Sequence, residues 1–182
     1  STPLPFRIFK IQHFAATDER MVVTEVDTAH RVVKEINGRP AAEEYARIVG
    51  VDMNNLDPLR FAASPLAVII NNTSYVRSIQ KANPDGSLTF FCAIEEGLVL
   101  RVTRGVDLVA NMEQSLDAIR GEIGPPLLVL GCDCILRKLE ILQNGFSHRV
   151  GNIFRHYNTI GFNTYGEQFR GFHVNQTLIG IF

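Results

Sequence analysis

Leu127-Leu128-Val129-Leu130-Gly131-Cys132-Asp133-Cys134-Ile135-Leu136-Arg137 is the stretch that decides the fold class. Its first four residues form an unbroken apolar run between Pro125-Pro126 and Gly131, and so short a run reads as a buried strand. The periodicity on both sides is helical. Upstream, Val106, Val109, Met112, Leu116 and Ile119 return to one face of a predicted helix over 106–121, which Pro125-Pro126 ends. Downstream, Ile135, Leu139, Leu142, Phe146, Val150, Ile153 and Tyr157 recur every three or four residues. Gly145 and Gly151 interrupt that stripe, so one helix and two helices with a break fit it equally well. Residues 160–169 and 174–182, aromatic and β-branched, read as two closing strands. The helix, the apolar strand and the helical segment after it are expected to pack as one layer against a sheet holding those closing strands.

The first half is richer in strand signals. Phe6, Ile8, Phe9, Ile11 and Phe14 suggest an opening strand, and residues 21–26 and 31–36 read as a hairpin. Asn37-Gly38 ends it as a turn, Pro40 opens a helix to about residue 49, and Gly50 stops that helix. Residues 51–65, rich in Asn, Asp and Pro, read as a loop. Runs at 66–71, 75–80, 88–94 and 98–103, with Asn83-Pro84-Asp85-Gly86 as a turn, suggest an antiparallel meander. The expected class is α+β, a mostly antiparallel sheet with helices packed on one side. Residues 1–19 read as a lead-in or junction strand and 20–182 as the domain.

Composition bounds the function. Of 182 residues, 46% are hydrophobic and 20% charged, which excludes wholesale disorder. Lys+Arg 18 against Asp+Glu 19 leaves a net charge of -1, with no overall electrostatic footprint for nucleic acid or an anionic membrane. Three cysteines are too few for a disulfide scaffold and favour a reducing compartment. The apolar stretches fall short of a membrane span and no signal peptide opens the chain, so the expectation is a cytoplasmic domain.

Chemistry-bearing patterns are sparse. Cys132-Asp133-Cys134 has no matching Cys or His pair nearby, so packing explains it better than a metal or redox role. No Gly-x-Ser-x-Gly elbow or phosphate-cradling glycine loop occurs. A Cys134–His dyad is a distant alternative, and Glu95-Glu96 reads as a solvated turn. The segment 134–173 holds Arg137, Lys138, Arg149, Arg155 and Arg170 against only Glu140 and Glu167. That excess is either a solvated helix face or a pocket for a small anion, since Arg pairs with a carboxylate through two hydrogen bonds.

The most distinctive string, Gly161-Phe162-Asn163-Thr164-Tyr165-Gly166-Glu167-Gln168, resembles the closing motif of the FIST signal-transduction sensors. Cys134-Ile135-Leu136-Arg137 is similar to that family's Cys-x-x-Arg segment, and Asn175-Gln176-Thr177-Leu178 to its terminal Asn-x-Thr segment. Residues 32–41 resemble its strand, Asn-Gly turn and Pro-Ala helix entry, so the resemblance covers about 20–182. It implies a binding module and no enzyme: an intracellular sensor that holds a small amino-acid-like or carboxylate ligand. The signal would pass to a kinase, methyl-accepting or cyclic-dinucleotide protein, with no nucleic acid or membrane partner. Family members also carry an amino-terminal half, a partner not found in this chain. The ligand is expected beside Thr164, Tyr165, Glu167 and Asn175, with Arg137 supplying positive charge and Gly161 and Gly166 as structural glycines. Internal pairing of Arg137 with Glu167 is the competing expectation. No cofactor or metal is expected. The alternative the family implies is a haem-binding nitric oxide sensor, with His148, His156 or His173 as axial ligand.

Overall fold

The computed structural model describes residues 3–182. Strands β1 (Ile8–Ile11), β2 (Phe14–Asp27), β3 (Val32–Ile36) and β4 (Arg39–Pro40) lead into helix α1 (Ala41–Val49). A 3-10 turn (Met53–Asn55) and α2 (Pro58–Ala63) precede β5 (Leu66–Ile70), β6 (Thr73–Arg77), β7 (Ile79–Ala82), β8 (Leu88–Phe90) and β9 (Val99–Gly105). The remainder runs α3 (Leu108–Ile123), β10 (Val129–Cys134), α4 (Ile135–Gln143), α5 (Ser147–His156), β11 (Thr159–Thr164), β12 (Glu167–Phe169), β13 (Phe172–Val174) and β14 (Leu178–Ile181). The fold is α+β with mostly antiparallel pairing. The chain forms two compact units: residues up to 13 with 106–172 and 176–182, and residues 14–105 with 173–175.

In the first unit the sheet order is β1-β14-β10-β11, antiparallel except for the β10–β11 pair. A parallel pair needs a long crossover, and α4 with α5 supplies it. The apolar strand expected in the helical layer therefore sits inside the sheet as β10, extended through Asp133 and Cys134. Leu127 and Leu128 lie before it and are exposed. Phe9, Ile11, Val129 and Leu178 on one sheet face pack with Val109, Met112 and Leu116 of α3, Ile141 of α4, and Val150 and Ile153 of α5. Gly145, at φ 69°, separates α4 from α5, so the stripe is two helices. The other sheet face carries an in-register row of Ile8, Ile181, Leu130 and Ile160, all exposed.

In the second unit the order is β6-β5-β9-β2-β3-β8-β7, with β4 on β3. The end strands β6 and β7 are separated in sequence only by Ser78, so the sheet curls nearly into a barrel. Met21, Val23, Val33, Ile36, Leu66, Leu88, Phe90 and Leu100 pack in its interior with Tyr45 of α1 and Phe61 of α2. The stretch expected as a loop, 51–65, contains the 3-10 turn and α2. Asp52 and Asp57 cap them by accepting from the backbone N–H groups of Asn54 and Arg60. Residues 173–175 complete this unit: Asn175 N donates to Val76 O at 3.3 Å and Ser78 N donates to Asn175 Oδ1 at 3.3 Å.

Candidate functional site: two buried polar clusters and an edge cleft

Strand alternation points Val129, Gly131 and Asp133 toward the helices, and Gly131 and Asp133 are buried there with Val129. α4 begins directly after Cys134, so Arg137 in its first turn comes back over Asp133. Its Nε donates to Asp133 Oδ1 at 2.7 Å, and the arginine is fully buried. Nη1 lies 3.5 Å from His13 Nδ1 and Nη2 3.8 Å from Met112 Sδ. A guanidinium only donates, so His13 Nδ1 accepts, and its Nε2–H donates to Glu140 Oε1 at 2.9 Å. Burial pushes the Asp133 carboxyl above its ordinary range, with Arg137 pulling the other way.

A second cluster surrounds Glu167 at the start of β12. Its Oε1 accepts from the Thr164 hydroxyl and its Oε2 from the Thr177 hydroxyl, the latter at 2.7 Å. The Cys134 thiol is a further hydrogen-bond partner. Burial nevertheless raises the Glu167 carboxyl above its usual value. The Cys134 thiol is pushed up to about 11, by burial first and by Glu167 next, which is the reverse of what an activated nucleophile needs. All three cysteines are free thiols.

The structure thus brings Thr164 and Glu167 together and gives Arg137 a different carboxylate, Asp133. Tyr165 is 85% exposed on the turn after β11. Asn175 belongs to the second unit. A Cβ on Gly161 would overlap the Gly131 carbonyl oxygen in the neighbouring strand, so the close approach requires glycine. Gly166 takes φ 157° in the turn between β11 and β12. His148 and His156 are exposed on α5 beside Asn152 and Arg120, and His173 is in the second unit. Among the described residues, no group of three or more His, Cys, Asp or Glu is placed to hold a metal.

A cleft of about 410 Å³ opens where β11 forms the sheet edge. Gly131 and Gly161, opposite each other in register, give it a floor of bare backbone. Asp133, Asn163 and Thr159 supply polar groups, and Phe154 of α5 and Leu178 supply apolar walls. Thr159 Oγ1 is buried and has no hydrogen-bond partner among the described residues.

Residues 41–170 match the family model described as the FIST C domain. The chain belongs to the FIST C domain family. FIST is a sensory, non-catalytic domain family associated with signal transduction. The matched residues of this FIST C domain include Asp133, Arg137, Thr159, Thr164 and Glu167, and thus most of both clusters and the cleft. A search of curated proteins gave no match, and a search of solved structures gave none. No helix among the described residues is long and apolar enough to cross a membrane.

His13, Asp133, Thr159 and Thr177 lie outside the set of residues expected beside the ligand. Asp133 carried a usable signal, a charged residue two positions beyond Gly131 on the inner face of an apolar strand. His13 carried none, since its partner Arg137 lies 124 positions away.

Proposed function

We propose that this FIST C domain is the ligand-holding part of a sensor, taking an amino-acid-like small molecule and relaying its presence to a signalling partner such as a kinase or cyclic-dinucleotide enzyme. The observation that supports this most is the edge cleft. Its volume falls in the range of small-molecule sites, which run from roughly 300 to 1,000 Å³. Its glycine floor lets a ligand lie against strand backbone, and the Asp133 carboxylate matches an ammonium. The unpartnered Thr159 hydroxyl and the free edge of β11 offer hydrogen bonds to the ligand's remaining polar atoms. Arg137 acts through Asp133 in this reading, and Thr164 and Glu167 hold the end of β11. Tyr165 has a hydroxyl free to turn toward a ligand.

A thermal-shift panel of the common amino acids tests the proposal, run on the wild-type chain and on Thr159→Val. At least one amino acid should raise the melting temperature of the wild type, and the shift should shrink in the variant. A panel without any response refutes the reading, as does a response untouched by Thr159→Val.

A further inference from the structure

In the second unit, the end of β6 carries a buried cation, Arg77, that forms no ion pair with an acidic group among the described residues. Arg77 is only 9% exposed. Its Nη1 donates to the His173 carbonyl oxygen, whereas its Nε is buried with no hydrogen-bond partner. A buried charge is retained when something pairs with it, yet among the described residues no Asp or Glu carboxylate forms an ion pair with Arg77. The Nε–Nη2 edge of a guanidinium, to which this unpartnered Nε belongs, is the edge that takes a carboxylate through two parallel hydrogen bonds.

The surroundings add positive charge and donors. Arg31 sits at the β2–β3 turn with φ 58°, and its Nη1 donates to Phe91 O at 2.9 Å. Phe91 N donates to Ser78 O at 3.0 Å, which ties Arg31 to the residue next to Arg77. Arg31 likewise forms no ion pair. His173 Nε2 lies 3.3 Å from Asn175 Nδ2 and so accepts from the amide, which places the ring proton on Nδ1, without an acceptor among the described residues. Burial lowers the His173 pKa, and the charges of Arg77 and Arg31 lower it further. Both guanidinium groups also act on the Cys92 thiol. One region of the barrel unit therefore gathers an imidazole N–H and two arginines that form no ion pair among the described residues.

We infer that Arg77, with Arg31 and His173, forms a binding site for a small carboxylate. Arg77 provides the paired donors, Arg31 the outer charge that draws the anion in, and His173 a third donor. This site goes beyond the sensory cleft, which is built in the other unit from other residues.

The test is a titration of the full chain with sodium acetate and sodium succinate at neutral pH, followed by melting temperature. Sodium chloride at matched ionic strength is the control, and inorganic phosphate is the comparison anion. The carboxylates should stabilise the wild type beyond chloride. Arg77→Gln should weaken their apparent affinity by about tenfold or more, and Arg31→Gln by a smaller factor. Arg31 is exposed, so that second variant remains informative if Arg77→Gln fails to fold. Three results overturn the inference: no carboxylate effect beyond chloride, an effect unchanged in both variants, or phosphate acting as strongly as the carboxylates. None of them bears on Thr159→Val, so this site and the cleft stand or fall separately.

Discussion

Arg137→Ala removes a fully buried guanidinium and leaves Asp133, 8% exposed, without its 2.7 Å partner. Breaking one side of a buried pair costs about 3–5 kcal/mol, because the remaining charge is stranded. Asp133 can respond by taking up a proton, since burial already raises its pKa, and this pulls the cost toward the lower end. Loss of the donor to His13 and of contact with Met112 pulls it back up. For a chain of this size the change corresponds to a fall in melting temperature of roughly 6–20 °C. Denaturant unfolding with matched slopes is the assay, repeated at lower pH. In the variant the folded-state Asp133 pKa lies above its unfolded value, so stability is regained as pH falls through the folded pKa toward 3.8. The control is Arg137→Met with Asp133→Leu, which removes both charges and should come within about 1 kcal/mol of wild type or exceed it. A folded Arg137→Ala protein that loses less than about 1 kcal/mol at neutral pH refutes the assignment of Arg137 as a structural partner of Asp133.

Other substitutions probe the remaining polar groups. Thr159→Val deletes a buried hydroxyl that has no partner, so the free domain should keep its stability or gain up to about 1 kcal/mol; a clear loss in chemical denaturation would show that the hydroxyl is satisfied. Glu167 has a folded pKa above its ordinary 4.5, so its charge opposes folding at neutral pH and the penalty is relieved on acidification. Wild type should therefore gain on Glu167→Gln as pH drops from 7 toward 4.5, and parallel stability profiles would contradict this. Glu44 shows the opposite sign: hydrogen bonds from Arg47 first, and from Asn37, hold it down to about 2. Its contribution is present above 4.5 and lost as pH falls toward 2, so the gap between wild type and Glu44→Gln should close across that window.

What the sequence discloses is governed by the range of the interactions. The stripes behind α3, α4 and α5 are local and legible, whereas the break at Gly145, with Gly151 continuing inside α5, is left open by the pattern. α2 is six residues long, too short for a periodic stripe, though Asp57-Pro58 marks its start. The position of β10 inside the sheet follows from pairing with β11 and β14, contacts 30 or more residues apart that an apolar run cannot specify. The same holds for the site. Arg137 and Glu167 stand out as charges, but their partners depend on which side of β10 each approaches. Asp133 faces the helices with Arg137, and Cys134 is a partner of Glu167. A single step along an extended strand reverses the side chain's direction, and so separates the two clusters.

The strings that carry the family resemblance acquire a physical meaning from this arrangement. Cys134 comes from the Cys-x-x-Arg segment, Thr164 and Glu167 from the Thr-Tyr-Gly-Glu string, and Thr177 from the terminal Asn-x-Thr segment. The Cys134 thiol and the Thr164 and Thr177 hydroxyls meet at the Glu167 carboxylate. A buried carboxylate is tolerated only when its oxygens are satisfied, so each segment supplies what the others need, and the three fix the ends of β10, β11 and β14 relative to one another. Groups so fully engaged have little capacity left for a ligand. The group left without a partner is the Thr159 hydroxyl, which lines the cleft with Asp133, Gly131 and Gly161. In this domain the residues that carry the family resemblance hold the strands in place, and the proposed ligand contacts fall to residues outside that carboxylate cluster.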